Sequence, residues 1–278
     1  MASSTIERGQ EVARSVAETP ILLWVRTTDH KRIGLMYIYT AFIFFLLGGI
    51  EATIIRTQLA VPDSKLITPS LYNELFTMHA TIMIFAFMMP VFVGIANYVV
   101  PLMIGARDMA LPRLNAASYW LYVAGGIVLA TSLVLGAAPD AGWFGYAPLT
   151  EATPACLTGL GTLPVQAVTQ AAATASAQGQ QGCFAPGANI DFWVLALSLL
   201  GVSSILSGIN FIVTTLFMRT RGMTIRRMPL LAWMMLITGF LLIFALPSLT
   251  VDGFLLFFDR HLGTHFFQAV AGGDPLLW

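Results

Sequence analysis

The chain has 278 residues, of which 57% are hydrophobic and only 10% charged. An ordinary soluble domain carries about 25% charged residues, so this composition excludes that class and points to an integral membrane protein. The 14 basic and 14 acidic side chains cancel, which leaves no basic footprint for a nucleic-acid partner.

Residues 1–29 are polar, carry both signs and lack the apolar core of a cleavable signal peptide, so they read as a cytoplasmic tail. A stretch within them, 5–17, is amphipathic and reads either as a surface helix or as a solvated tail. Five runs then follow that are long and uncharged enough to cross a bilayer of about 20 helical residues. They are 33–55, 75–104, 116–135, 192–218 and 228–251. An all-α bundle of five transmembrane helices is therefore expected. With the N-terminus in the cytoplasm, 11 of the 14 Lys and Arg fall on the inner side, and only Arg56, Lys65 and Arg260 fall outside. The positive-inside rule selects that orientation.

The first run contains Glu51 and ends at Arg56, which reads either as a buried functional carboxylate or as an interfacial pair five residues apart. The second holds His79 inside the apolar stretch ELFTMHATIMIFAFMMPVFVGIANYVVPLMIGARD, with Pro90 and Pro101 beyond it and Asp108 at its inner end. An ionisable group at membrane depth is a functional hypothesis by default; the alternative is a histidine bonded to a backbone carbonyl between helices. Asp108 reads otherwise as a surface carboxylate paired with Arg107 or Arg113. The third run is rich in small residues, as packed membrane helices are, and its Tyr119 and Trp120 suit an interfacial belt. The fourth carries Ser203, Ser204, Ser207 and Asn210 on one face, either bonded back to their own helix or lining water.

Between the third and fourth runs lies an Ala-, Gln-, Thr- and Gly-rich insertion at about 150–188. It holds the two cysteines, Cys156 and Cys183. On the outer side a disulfide between them can persist; two unpaired thiols are the alternative.

The blocks TTDHKRIG, FTMHATIMIF, GARDMALPRLN, VSSILSGINF, DRHLGTHFF and GGDPLLW resemble, in order, subunit I of the haem-copper terminal oxidases, the cytochrome c and quinol oxidase family. The resemblance runs from about residue 27 to 278, apart from the insertion. It implies that residues 30–278 are the N-terminal helical region, helices 1–5, of that family's twelve-helix subunit I. It implies a respiratory oxidoreductase of the bacterial inner membrane, multi-pass, coupling oxygen reduction to proton pumping. By resemblance His79 is one axial ligand of the low-spin haem, Arg56 bonds a peripheral group of that haem, and Tyr72 supports the pocket. Asp108 opens a proton pathway continued by Asn97, Asn115, Tyr37, Ser203 and Ser204.

The four histidines are His30, His79, His261 and His265, and only His79 lies at membrane depth. A metal centre for oxygen chemistry needs a cluster of imidazoles, so the second haem and copper are expected only in a complete subunit, and this chain alone is expected to be inactive. The sequence reads either as a fragment of subunit I or as one half of a split subunit, with the C-terminal part, a copper-bearing subunit II and subunit III as partners within membrane lipid. In quinol-oxidising relatives an Arg, an Asp, a His and a Gln or Glu form the donor site; here the matching positions are Leu47, Glu51, Leu71 and Glu74. Loss of the basic and imidazole members favours cytochrome c as donor. A haem-free membrane assembly protein of the same fold is the alternative from another class.

Overall fold

The computed structural model describes residues 20–150 and 188–278. Five long helices dominate: α1 (His30–Gln58), α2 (Pro69–Ile104), α3 (Pro112–Val134), α4 (Ala188–Phe217) and α5 (Leu230–His261). All five are long and apolar enough to cross a membrane, as the uncharged runs predict. Among the described residues there is no strand. The cysteine pair and the body of the insertion lie outside the described residues, as does the amphipathic stretch at 5–17.

Four helices, α1 to α4, begin earlier than their apolar runs. Thr68 caps α2 by accepting from the Leu71 N–H, with Pro69 in the first turn. This is a favoured way to start a helix, because the side chain satisfies an orphan donor and proline has none to lose. Pro112 does the same for α3, and Asp29 caps α1 through Lys31 N–H. At the other end α5 runs ten residues beyond the predicted span. It continues past Asp252 to His261. A short helix, Pro20–Val25, occupies part of the expected tail, where the run PILLWV interrupts the polar residues.

The helices run alternately up and down. One end, here the first face, carries the starts of α1, α3 and α5. The opposite end, the second face, carries the starts of α2 and α4. α1 packs along α2, and α4 lies between α3 and α5. Two glycine pairs allow the closest crossings. A Cβ on Gly34 would sit 2.7 Å from the Gly94 carbonyl between α1 and α2, and one on Gly239 would sit 2.9 Å from the Gly208 carbonyl between α5 and α4. Small residues at such crossings let backbones approach and gain dispersion contact.

α2 is not a plain α-helix. Residues Ile82–Met88 form a π-helical stretch in which Met89 N–H bonds the Ile84 carbonyl, five residues back. Pro90 brings no N–H, and the Ala86 carbonyl four residues before it accepts instead from the Tyr122 hydroxyl of α3 at 2.8 Å. The freed acceptor is thereby satisfied inside the bundle, as membrane helices with proline require.

On the second face Asp191, in the first turn of α4, accepts from Arg260 Nε at 2.9 Å and lies 3.1 Å from His261 Nε2 at the end of α5. Acid at a helix start and base at a helix end suit both helix dipoles. Buried Asp259 accepts from the Phe266 and Phe267 N–H groups and from the Thr264 hydroxyl, which folds the following segment back.

Candidate functional site

His79 lies on α2, half-buried, three residues before the π-helical stretch. Its Nδ1 is 2.8 Å from the Gly48 carbonyl of α1. A carbonyl can only accept, so Nδ1 carries the proton and Nε2 is the bare nitrogen. Gly48 leaves room there: a Cβ would press on Met83, with Sδ at 3.0 Å and Cγ at 3.3 Å. The bond to a backbone carbonyl occurs as the bland reading expects, yet it is also what metal-ligating histidines make with their second nitrogen, fixing the ring and its tautomer. The donor set therefore fits one axial position of a haem. Among the described residues no group of three or more His, Cys, Asp or Glu side chains gathers to hold a metal, so a single imidazole is what these helices offer.

Arg56 is exposed on α1, eight residues beyond Gly48. The expected pairing of Glu51 with Arg56 is not formed. Glu51 is 2% exposed and neither carboxyl oxygen has a partner. Residues five apart on a helix point about 140° apart, which turns the guanidinium away when the carboxylate faces inward. Tyr72 lies two turns before His79 on α2, half-buried, beside Gln58, Lys65 and Asn73 on the second face.

Asp108 follows α2 at the first face. Its partner is neither Arg107 nor Arg113 but His30, whose Nδ1 lies 3.0 Å from Asp108 Oδ1. His30 is 2% exposed and its Nε2 is buried without a partner. The loop that carries Asp108 is bracketed by α4. Asn210 accepts from Leu111 N–H and donates to the Leu111 carbonyl, and the Thr214 hydroxyl accepts from Ala110 N–H. Asn210 thus holds the loop rather than lining water, since both faces of its amide are used.

Inward from Asp108 the bundle is lined by buried amides and hydroxyls. Asn97 and Asn115 are fully buried; the Oδ1 of Asn97 and both amide atoms of Asn115 lack protein partners. Orphaned polar atoms at such depth call for ordered water. Beyond them Tyr37 donates to Ser118 Oγ at 3.0 Å and lies 3.5 Å from Ser203 Oγ. Ser203 in turn donates to the Ser118 carbonyl at 2.6 Å. A small cavity of about 10 Å³ lies among Tyr37, Tyr122, Ser203, Ser204 and Ser207, close to what one water occupies. Ser204 bonds back to the Leu200 carbonyl while still facing that cavity.

Tyr119 is 7% exposed, not an interfacial anchor. It bonds Thr40 at 2.9 Å and joins Tyr37 and Tyr122 in an aromatic cluster with centroids 5.2 to 6.3 Å apart. The sequence reading missed His30, Ser118 and Tyr122. Ser118 and Tyr122 lie four apart on α3, a helical face that was legible; His30 gave no signal beyond its place in TTDHKRIG.

Near the second face Asp140 is half-buried and accepts from the Asn189 amide at 3.2 Å. Burial pushes its carboxyl above the ordinary value, opposed by a hydrogen bond from its own backbone.

The family described as cytochrome c and quinol oxidase polypeptide I matches residues 32–278. A quinol oxidase subunit 1 from Bacillus subtilis is 41% identical over 92% of this chain and 35% of its own length. A putative cytochrome c oxidase subunit 1-beta from Streptomyces coelicolor is 42% identical over 93% of this chain and 40% of its own. A cytochrome c oxidase subunit 1 from Synechocystis is 41% identical over 90% and 39%. The chain spans well under half the length of these curated relatives.

Proposed function

Because the chain belongs to the cytochrome c and quinol oxidase polypeptide I family, we propose that it is the N-terminal portion of the catalytic subunit of a proton-pumping respiratory terminal oxidase. The observation that carries this reading is the fixed tautomer of His79, with Nδ1–H on the Gly48 carbonyl and Nε2 free of protein partners. His79 would hold a low-spin haem through Nε2, with a second histidine supplied by the C-terminal part of subunit I. A haem so ligated supplies one-electron transfer. Arg56 would offer its fork of donors to an oxygen of that haem, and Tyr72 would support the same pocket.

Asp108 takes protons from the first face, read as the cytoplasm from the basic side chains gathered there. His30 holds the carboxylate in place. Asn97, Asn115, Tyr37, Ser118, Ser203 and Ser204 order waters that pass the proton inward, since each offers both donor and acceptor capacity. Copper and the oxygen-reducing haem belong to the rest of the subunit, and a copper-bearing subunit II and subunit III complete the complex. The membrane is the bacterial inner membrane, with the N-terminus in the cytoplasm.

Relatives similar to the chain are named for both donors, so support for cytochrome c rests on residues. Leu47 and Leu71 stand where a quinol site needs a guanidinium and an imidazole, and neither leucine can bond a quinol oxygen. The deciding experiment is an optical spectrum of the purified membrane complex, with reduction tested by cytochrome c and by quinol separately. A low-spin haem band and reduction by cytochrome c alone are expected. Absence of haem would leave the membrane assembly role standing.

A further inference from the structure

Glu51 has no part in the proposed proton pathway, which lies in the other half of the membrane. It belongs to one stripe of α1, with Tyr37, Ala41, Phe44 and Gly48 at alternating spacings of four and three. That stripe faces the bundle. Gly48, one turn before Glu51, gives its carbonyl to His79, and the side chains against it are Ile82 and Met83 of α2. Glu51 is therefore about 5 Å along the helix axis from the peptide that orients His79. A carboxyl at this depth with both oxygens orphaned is costly as a bare anion.

The other ionisable groups nearby are few. α2 brings Tyr72, Glu74 and His79. α3 brings only Tyr119 and Tyr122, which cluster with Tyr37 at the opposite end, and Arg113 beyond them. The loop that donates Gly142 N–H to Thr77 brings Asp140. On α1 itself Arg56 is exposed. Among the described residues no cation lies within ion-pair distance of Glu51 to hold it charged.

Resting on the haem reading of His79, we infer that Glu51 is a proton-binding group coupled to the redox state of that haem. A haem held at His79 would, on accepting one electron from the donor, bring one added negative charge to the neighbourhood of the stripe. That charge would favour the protonated form, so in the pH range where part of Glu51 is ionised the carboxylate takes one proton from water on the second face and becomes the carboxyl. On reoxidation the electron leaves and the proton returns to the water on that face. Charges buried in a low-dielectric interior are weakly screened from one another, so the two events share one free energy.

The test uses the complete purified oxidase, wild type and Glu51→Gln, in potentiometric titrations of the low-spin haem across pH. In the wild type the midpoint potential falls as pH rises, by up to tenfold in the reduction equilibrium per pH unit, about 59 mV for one electron. In Glu51→Gln most of that slope is lost. Reduced-minus-oxidised infrared spectra show a carboxyl C=O band in the wild type that the variant lacks. Equal slopes in both proteins, or no redox-linked carboxyl band in the wild type, overturn the inference while the haem spectrum stays normal. A wild-type complex without a low-spin haem would instead overturn the reading of His79. If Glu51→Gln does not assemble, Glu51→Asp keeps a titrating group, and a shifted but present carboxyl band is then required.

Discussion

His30 Nδ1 lies 3.0 Å from Asp108 Oδ1, joining the first residue of α1 to the loop after α2. The contact links residues 78 positions apart and fixes the Asp108 carboxylate at the first face. Replacing Asp108 by Asn keeps size and hydrogen bonding while removing the titratable group. Turnover and proton pumping in the complete oxidase are expected to fall roughly a hundredfold, the low end of what a proton-transfer group contributes, with haem content intact. His30→Ala leaves the carboxylate titratable but unheld, so its loss of turnover is expected to be smaller. Oxygen consumption with parallel pumping measurements checks both. Wild-type rates in Asp108→Asn would reduce Asp108 to a structural partner of His30.

His79→Ala removes the free Nε2 and the bond to Gly48 together. The low-spin haem band should disappear from the assembled complex. A retained bis-histidine spectrum in this variant would rule out His79 as the ligand.

Tyr122→Phe removes a single hydroxyl and leaves the Ala86 carbonyl without its partner at the π-helical turn. An unsatisfied buried acceptor costs about 1–3 kcal/mol, so the thermal midpoint in detergent should drop. Ring packing on Tyr37 is unchanged, which keeps the effect to the one hydrogen bond. An unaltered midpoint would mean that water replaces the hydroxyl.

Asp140 has its carboxyl raised by burial, so the folded state binds a proton more readily than the unfolded chain. Its contribution is favourable below the unfolded value and is lost as pH rises through the folded value, leaving a buried charge at neutral pH. Asp140→Asn keeps an oxygen to accept from Asn189 and removes that charge. The variant should melt higher than wild type at pH 7, with the gap narrowing as pH falls below the carboxyl range. Calorimetry across pH in the same detergent reads this, and a pH-independent gap would be evidence against the charge as its cause.

The five crossings could be read from the chain because a bilayer imposes a one-dimensional requirement, about 20 residues without charge, and α1 to α5 each meet it. Thr68-Pro69 and Pro112 signalled the true helix starts through capping chemistry, which an apolar count ignores. The motif around His79 and the loop at Asp108 were also legible as residue patterns. What needed the tertiary structure was every relation that depends on how a helix is rotated about its axis. A membrane helix that is apolar all round carries little record of that rotation, because lipid and protein neighbours are equally hydrophobic. Only packing turned Glu51 inward and Arg56 outward, brought His30 to Asp108, placed Tyr122 on the carbonyl freed by Pro90, and turned Asn210 from a channel residue into the bracket of a loop.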